Sequence, residues 1–175
     1  MFITQEIAAI YDQIALNFSA TRKKLSPEAI SLVPHLPEKA AVLDLGCGNG
    51  VLLTALPHRF RTCRSTGSEP VDYLGIDLSR ILINEAKKLH LKAKFILADI
   101  TKTQTWENLG QFDFIAALAV FHHLPSPADH IKLLRNIKHH LRPAESAGKP
   151  GGVCLISVWR LDQPKFNRYR RGKYL

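Results

Sequence analysis

The sequence predicts an α/β fold: a doubly wound, mostly parallel sheet of five strands preceded by N-terminal helices. Three observations predict it. Short apolar runs alternate with segments of helical period between residues 41 and 159. Each of the first three runs carries an acid at or just beside its end, at Asp44, Asp77 and Asp99. Gly46-Cys47-Gly48-Asn49-Gly50 follows the first run directly, a loop too tight for side chains that opens a helix. Strands alternating with helices require crossovers. Such crossovers make the sheet parallel and gather ligands at the carboxyl ends of its strands.

Taken in order, Phe2, Ile3, Ile7, Ile10, Tyr11, Ile14 and Phe18 recur at helical spacing, which predicts a helix over 3–18. Ser19 to Leu25 reads as a basic loop, and Ser26-Pro27-Glu28 as the cap and first turn of a short helix closed by Pro34 and Pro37. The first strand, Ala41–Leu45, leads through the glycine loop into a helix ending near Pro57–Arg59. Residues 61–72, rich in Ser, Thr, Gly and Pro, read as a surface loop. The second strand, Tyr73–Asp77, is followed by Ser79 as a cap and a helix whose face is Leu82, Ala86 and Leu89. The third strand is Lys94–Ala98. The fourth, Phe112–Val120, is apolar throughout its centre, as a strand covered on both faces must be. Ser126 and Asp129 form a capping box for a helix with Ile131, Leu134, Ile137 and Leu141 on one face. Gly151-Gly152 precedes the fifth strand, Val153–Trp159. The expected organisation is a helical cap over 1–38, a cofactor-binding core over 39–159 and a tail over 160–175.

Composition bounds the function. With 175 residues, 46% hydrophobic and 22% charged, the chain is of one-domain size and ordinary globular make-up. No apolar run approaches the ~20 residues of a membrane span and the N-terminus does not read as a leader, so no membrane partner is expected. Cys47, Cys63 and Cys154 are scattered and odd in number, which suits neither a disulfide framework nor a zinc site; a reducing cytoplasm is the expected setting, with no metal. The net charge of +9 is uneven. Between Arg160 and Leu175 six basic residues stand against Asp162 alone, interleaved with Phe166, Tyr169 and Tyr174. That segment is either a solvated terminus or a surface for phosphates and stackable bases, with Arg168, Arg170 and Arg171 as its contacts.

The chemistry gathers on the three acids. A parallel sheet sets their strand ends along one rim. Asp77 falls 27 residues after Gly50, where a carboxylate accepts from both ribose hydroxyls, and Asp99 can accept from an exocyclic adenine amine. The spacing G-x-G-x-G is neither the pyrophosphate fingerprint nor a P-loop, which argues against a nicotinamide-dependent dehydrogenase.

Leu43 to Gly50, Gly75-Ile76-Asp77, Ala98-Asp99 and Phe112-Asp113 resemble the successive motifs of class I S-adenosylmethionine-dependent methyltransferases. A finer resemblance lies in Tyr11 to Ala15, Phe18 to Arg22, Ala119 to Leu124 and Val158-Trp159, which look like the tRNA carboxymethyluridine methyltransferases. The resemblance implies a Rossmann-like core, S-adenosylmethionine as cofactor, and methylation of the carboxylate on a modified wobble uridine in tRNA. It places Asp44, Gly46 and Gly48 around the methionine moiety with Cys47 between them, Asp77 with Leu78 at the ribose, and Asp99 with Ile100 at the adenine. Ala119 then lies beneath the sulfonium, while Tyr11 and Arg22 close over the site. Tyr11 reads equally as core packing and Arg22 as a solvated cation; Cys47 reads as a small structural side chain. His122 and His123, on the rim where the acceptor arrives, are the catalytic candidates, orienting it or acting as acid and base; a structural or lid role is the alternative.

The resemblance also implies a seven-stranded sheet. Sixteen mostly polar and basic residues follow Trp159, so the fifth strand is expected to present an open apolar edge. A self-contact, a second copy or another chain, such as the small zinc-binding activator subunit used in the family, is expected to cover it. Two other functions fit the same residues: a methyltransferase of quinones or small metabolites, and a catalytically silent binding subunit.

Overall fold

The computed structural model describes residues 2–25, 27–32, 40–56, 73–144 and 150–159. Five parallel strands form one sheet in the order β3-β2-β1-β4-β5, with β1 Val42–Leu45, β2 Tyr73–Asp77, β3 Lys94–Leu97, β4 Phe114–Leu118 and β5 Val153–Ser157. The helices are α1 Phe2–Thr21, α2 Pro27–Leu32, α3 Leu52–Ala55, α4 Arg80–Leu89 and α5 Pro127–His140. The order reverses at β1, the strand that carries the glycine loop, and ligands enter such sheets at that switch point.

Alternation along β1 divides the core. Val42, Tyr73, Phe114 and Ala116 face α3 and α4, where Leu52, Leu53, Ile83 and Ala86 meet them. Leu43, Leu45, Leu74, Ile76, Ile115 and Ala117 face the other way, onto Trp106 and α5's Leu133 and Ile137. Burial of both faces explains why the central strands read as continuous apolar runs.

Element boundaries shift for local reasons. α1 runs to Thr21, whose hydroxyl donates to the carbonyls of Asn17 and Phe18 and closes the last turn. β4 begins at Phe114, because Phe112 bridges Leu141 instead, and ends at Leu118, because Ala119 takes φ 57°. α3 ends at Ala55; the expected continuation to Pro57–Arg59, the loop over 61–72 and the tail with Arg168, Arg170 and Arg171 lie outside the described residues. Three expected helix faces are corrected. In α1, Ile10 and Ile14 are exposed, and Ile7, Tyr11, Ala15 and Phe18 turn inward. Leu89 is 58% exposed, and Ile83 takes its place beside Leu82 and Ala86. In α5, Ile131 and Leu134 are half-exposed, and the inward face is Leu133, Ile137 and His140. His140 is buried against Trp106, with Nδ1 2.9 Å from the Gly110 carbonyl oxygen. The caps expected at Ser79 and Ser126 are present, accepting from Leu82 N and Asp129 N, while the cap expected at Ser26 and the closure at Pro34 and Pro37 lie outside the described residues. Among the described residues no helix is long and apolar enough to cross a membrane, and no three His, Cys, Asp or Glu gather as metal ligands.

Candidate active site

The carboxyl ends of β1, β2, β3 and β4 surround a cavity of about 590 Å³, within the size range of small-molecule sites. Its floor is the glycine loop. Gly46 has φ +65°, and a β-carbon there would stand 2.4 Å from Val120 Cγ2. Only glycine combines that backbone with that closeness. Asp77 holds the loop in place: one carboxylate oxygen accepts from Gly48 N at 2.8 Å and the other from Ser79 N at 2.8 Å. Burial pushes the Asp77 carboxyl upward, and these backbone donors pull it back down.

The residues singled out by sequence largely converge here. Asp44, Gly46, Gly48, Asp77 and Leu78 line the cavity, as do Asp99, Ile100 and Ala119. Tyr11, Arg22 and His123 line it from the opposite wall. Cys47 and His122 do not. The Cys47 side chain turns into the core beside Phe95 and Tyr73, and burial together with Asp44 raises its thiol well above the ordinary value, so it is no nucleophile. His122 lies behind the wall with its ring between His123 (4.1 Å) and Trp159 (4.7 Å), and neither ring nitrogen has a hydrogen-bond partner among the described residues.

Charge is arranged asymmetrically. Asp44 is fully enclosed and pushed up to about 7, first by burial and then by Asp77; the Tyr73 hydroxyl, which donates to Asp44 Oδ2 at 2.7 Å, opposes the shift. Burial lowers both histidines, His122 to about 4, so both rings are neutral at pH 7. His123 Nε2 lies 2.8 Å from the Tyr11 hydroxyl.

α1 forms the roof, and polar ties hold it to three separate loops. Besides Tyr11 to His123, Asp12 accepts from the Ser79 hydroxyl and from Ile81 N at the start of α4. Asn49 Nδ2 donates to Ser19 Oγ and to the carbonyl of Arg22, both at 3.1 Å. Tyr73, Asn49 and Lys24, the last also lining the cavity, were not legible as functional residues. A signal existed for Asn49, a side chain with two amide donors inside a loop that otherwise excludes side chains.

The donor set fits S-adenosylmethionine. A carboxylate at β1 suits an α-ammonium, one at β2 a ribose diol and one at β3 an exocyclic amine, while Arg22 faces them as partner for a carboxylate. A parallel sheet with a left-handed glycine loop at its switch point and an acid at each of three neighbouring strand tips defines the class I S-adenosylmethionine-dependent methyltransferase fold. The chain belongs to the methyltransferase-domain family, which matches residues 18–174. It is 27% identical over 172 residues to the tRNA (carboxymethyluridine(34)-5-O)-methyltransferase ALKBH8 of Mus musculus, covering 97% of this chain and 22% of that protein. It is 31% identical over 160 residues to a trans-aconitate 2-methyltransferase of Azoarcus, covering 91% of this chain and 54% of that one. Among solved structures it resembles a TehB-like SAM-dependent methyltransferase from Corynebacterium glutamicum, with TM-score 0.55, 25% identity, and coverage of 78% of this chain and 67% of that chain. The chain thus spans 22% and 54% of the two curated relatives.

Proposed function

We propose that this chain methylates a carboxylate, that of a carboxymethylated wobble uridine in tRNA. The observation that carries the reading is the division of charge within the cavity. All of its acids, Asp44, Asp77 and Asp99, stand on the cofactor side, whereas the wall beyond Ala119 presents neutral His123, Tyr11 and Trp159. Among the described residues that wall offers no carboxylate to serve as a general base, and the Tyr11 hydroxyl already occupies His123 Nε2 at 2.8 Å. An acceptor that is already an anion needs none.

In this reading Asp44, Gly46 and Gly48 hold the methionine moiety with Arg22, Asp77 and Leu78 hold the ribose, and Asp99 and Ile100 hold the adenine. Held there, S-adenosylmethionine would supply an electrophilic methyl group and, in its sulfide, a leaving group that keeps the carbon–sulfur electron pair. The protein aligns the partners and excludes water. Ala119, held at φ 57° by bonds from its N–H to Ser157 O and Oγ, sets the floor beneath the reacting centre. His123, fixed by Tyr11, orients the acceptor, and His122 backs it; the Arg168, Arg170 and Arg171 segment follows the tRNA backbone. A small activator subunit or a second copy over β5, where Val153 and Ile156 are exposed, belongs to the same reading.

The second reading is a free polycarboxylate as acceptor, favoured by the similarity to a trans-aconitate 2-methyltransferase. Incubation with methyl-labelled cofactor and either bulk tRNA or small polycarboxylic acids separates the two. Label entering tRNA and leaving it in mild alkali, as an ester must, is the expected result. Label on a base carbon or ring nitrogen would overturn the carboxylate, and label confined to the small acids would transfer the function to them.

A further inference from the structure

We infer that Tyr73 is a positioning residue for the cofactor, its buried hydroxyl holding the Asp44 carboxylate toward the cofactor's α-ammonium. The inference rests on the reading of Asp44 as that ammonium's acceptor. The register of β1 on β2 pairs Val42 with Tyr73 and Asp44 with Gly75, so Tyr73 lies diagonally beside Asp44 on one face. Gly75 puts no side chain between them. A β-carbon there would stand 2.7 Å from Phe95 and 2.8 Å from Cys47 Sγ. Phe95 meets the Tyr73 ring edge-on at 5.8 Å, and the ring is 2% exposed, so packing fixes where the hydroxyl points. A buried phenol needs a hydrogen-bond partner, and Asp44 Oδ2 at 2.7 Å is that partner.

The ionisable groups around Asp44 come from each neighbouring element. Cys47 in the glycine loop stays a thiol, and Asp77 at the end of β2 is a second acid. β4 offers Ala116 in register, α3 offers Leu52, and α4 offers Leu82, none of them charged. Arg22, Lys24 and Tyr11 line the same cavity from the N-terminal segment, and His123 from the loop after β4. Tyr73 alone donates a side-chain hydrogen bond to the carboxylate among the described residues. Removing its hydroxyl therefore favours the protonated carboxyl, which cannot pair with an ammonium.

The test is calorimetry of Tyr73→Phe with S-adenosylhomocysteine, which keeps the ammonium, and with 5′-methylthioadenosine, which lacks the amino-acid part. The expected result is a Kd for the first raised roughly tenfold at pH 6.5 to 7 and nearly restored at pH 8.5, one pH unit being one decade. The Kd for the second stays unchanged. Equal weakening of both ligands, or a loss independent of pH, overturns the inference in favour of packing alone. Should the variant melt below the assay temperature, carbon-13 NMR of the wild-type chain takes its place. The Tyr73 phenol carbon and the Asp44 carboxyl carbon must then titrate with one midpoint; a phenol signal that ignores Asp44 overturns the pairing. Asp44→Asn is the separate control, because its binding S-adenosylhomocysteine as tightly as the wild type would sink the reading of Asp44 itself, whatever Tyr73 does.

Discussion

In the proposed reading Asp44 takes the cofactor's ammonium at a cost to the fold. Its carboxyl is raised from 3.8 to about 7 by burial. In the unfolded chain it ionises near pH 4, while in the folded chain it keeps its proton until about pH 7. Between those values the folded state binds more protons, so stability falls as pH rises, and the penalty is complete above pH 7. Asp44→Asn removes the penalty and still accepts from Tyr73. The variant should melt a few degrees higher than the wild type at pH 8, about 2–4 °C per kcal/mol for a chain of this size, with the gap closing toward pH 4. Cofactor affinity should fall about 10- to 100-fold, the cost of one hydrogen bond to a charged group. Thermal melts across pH and calorimetry check the two halves; parallel melting curves at every pH would refute the first. The acids at 44, 77 and 99 were legible in the sequence because a strand tip in a parallel sheet has one destination. The partners that tune them were not. Tyr73 reads as one more aromatic in a strand until the β1–β2 register and the missing side chain at Gly75 set it beside Asp44.

Among the elements, α1 is held differently from the rest. Ala15 is its one fully buried described side chain, and Ile10, Ile14 and Leu16 are exposed. The sequence pattern gave Ile10 and Ile14 to the inward face because it weights large apolar residues. The face that meets the protein is Ile7, Tyr11, Ala15 and Phe18, where a small residue allows close approach. α5 shows the same bias, since no apolar pattern can nominate His140 as a core residue; its ring packs on Trp106 and its Nδ1 pairs with the Gly110 carbonyl. A helix secured mainly by polar ties opens more readily than one secured by a deep apolar stripe. Asn49→Ala should therefore loosen the roof at the end nearest Arg22 while sparing the sheet. The expected outcome is release of S-adenosylhomocysteine about fivefold faster, matching one net hydrogen bond of about 1 kcal/mol, with faster amide exchange in α1 and unchanged exchange in β1 and β4. Stopped-flow release and exchange mass spectrometry measure these, and an unchanged release rate would show that the roof does not gate the site.

For the molecule as a whole, a cofactor core without extreme charge is joined to a strongly basic segment. The five parallel strands were readable because each apolar run is too short for a helix and is punctuated by glycine, proline or an acid; their spatial order, β3-β2-β1-β4-β5, depends on long-range pairing that no local pattern encodes. The segment from Arg160 to Leu175 holds six basic residues and one acid, most of the chain's surplus of +9. If tRNA is the acceptor, that surplus has a thermodynamic signature distinct from anything at the cofactor site. Each phosphate neutralised by a cation releases counterions and contributes about −0.7 to −0.9 to the slope of log K against log salt. Replacing Arg168, Arg170 and Arg171 with Ala should therefore flatten the slope by about 2 to 3 and weaken tRNA binding more at low salt than at high salt. S-adenosylhomocysteine affinity should not change, because the acids and glycines proposed to hold the cofactor come from residues 44 to 100. Filter binding of labelled tRNA across a potassium chloride series measures the slope. A slope equal to the wild type's would mean that the segment does not track a phosphate backbone, and would move the balance toward a free carboxylic acid as the acceptor.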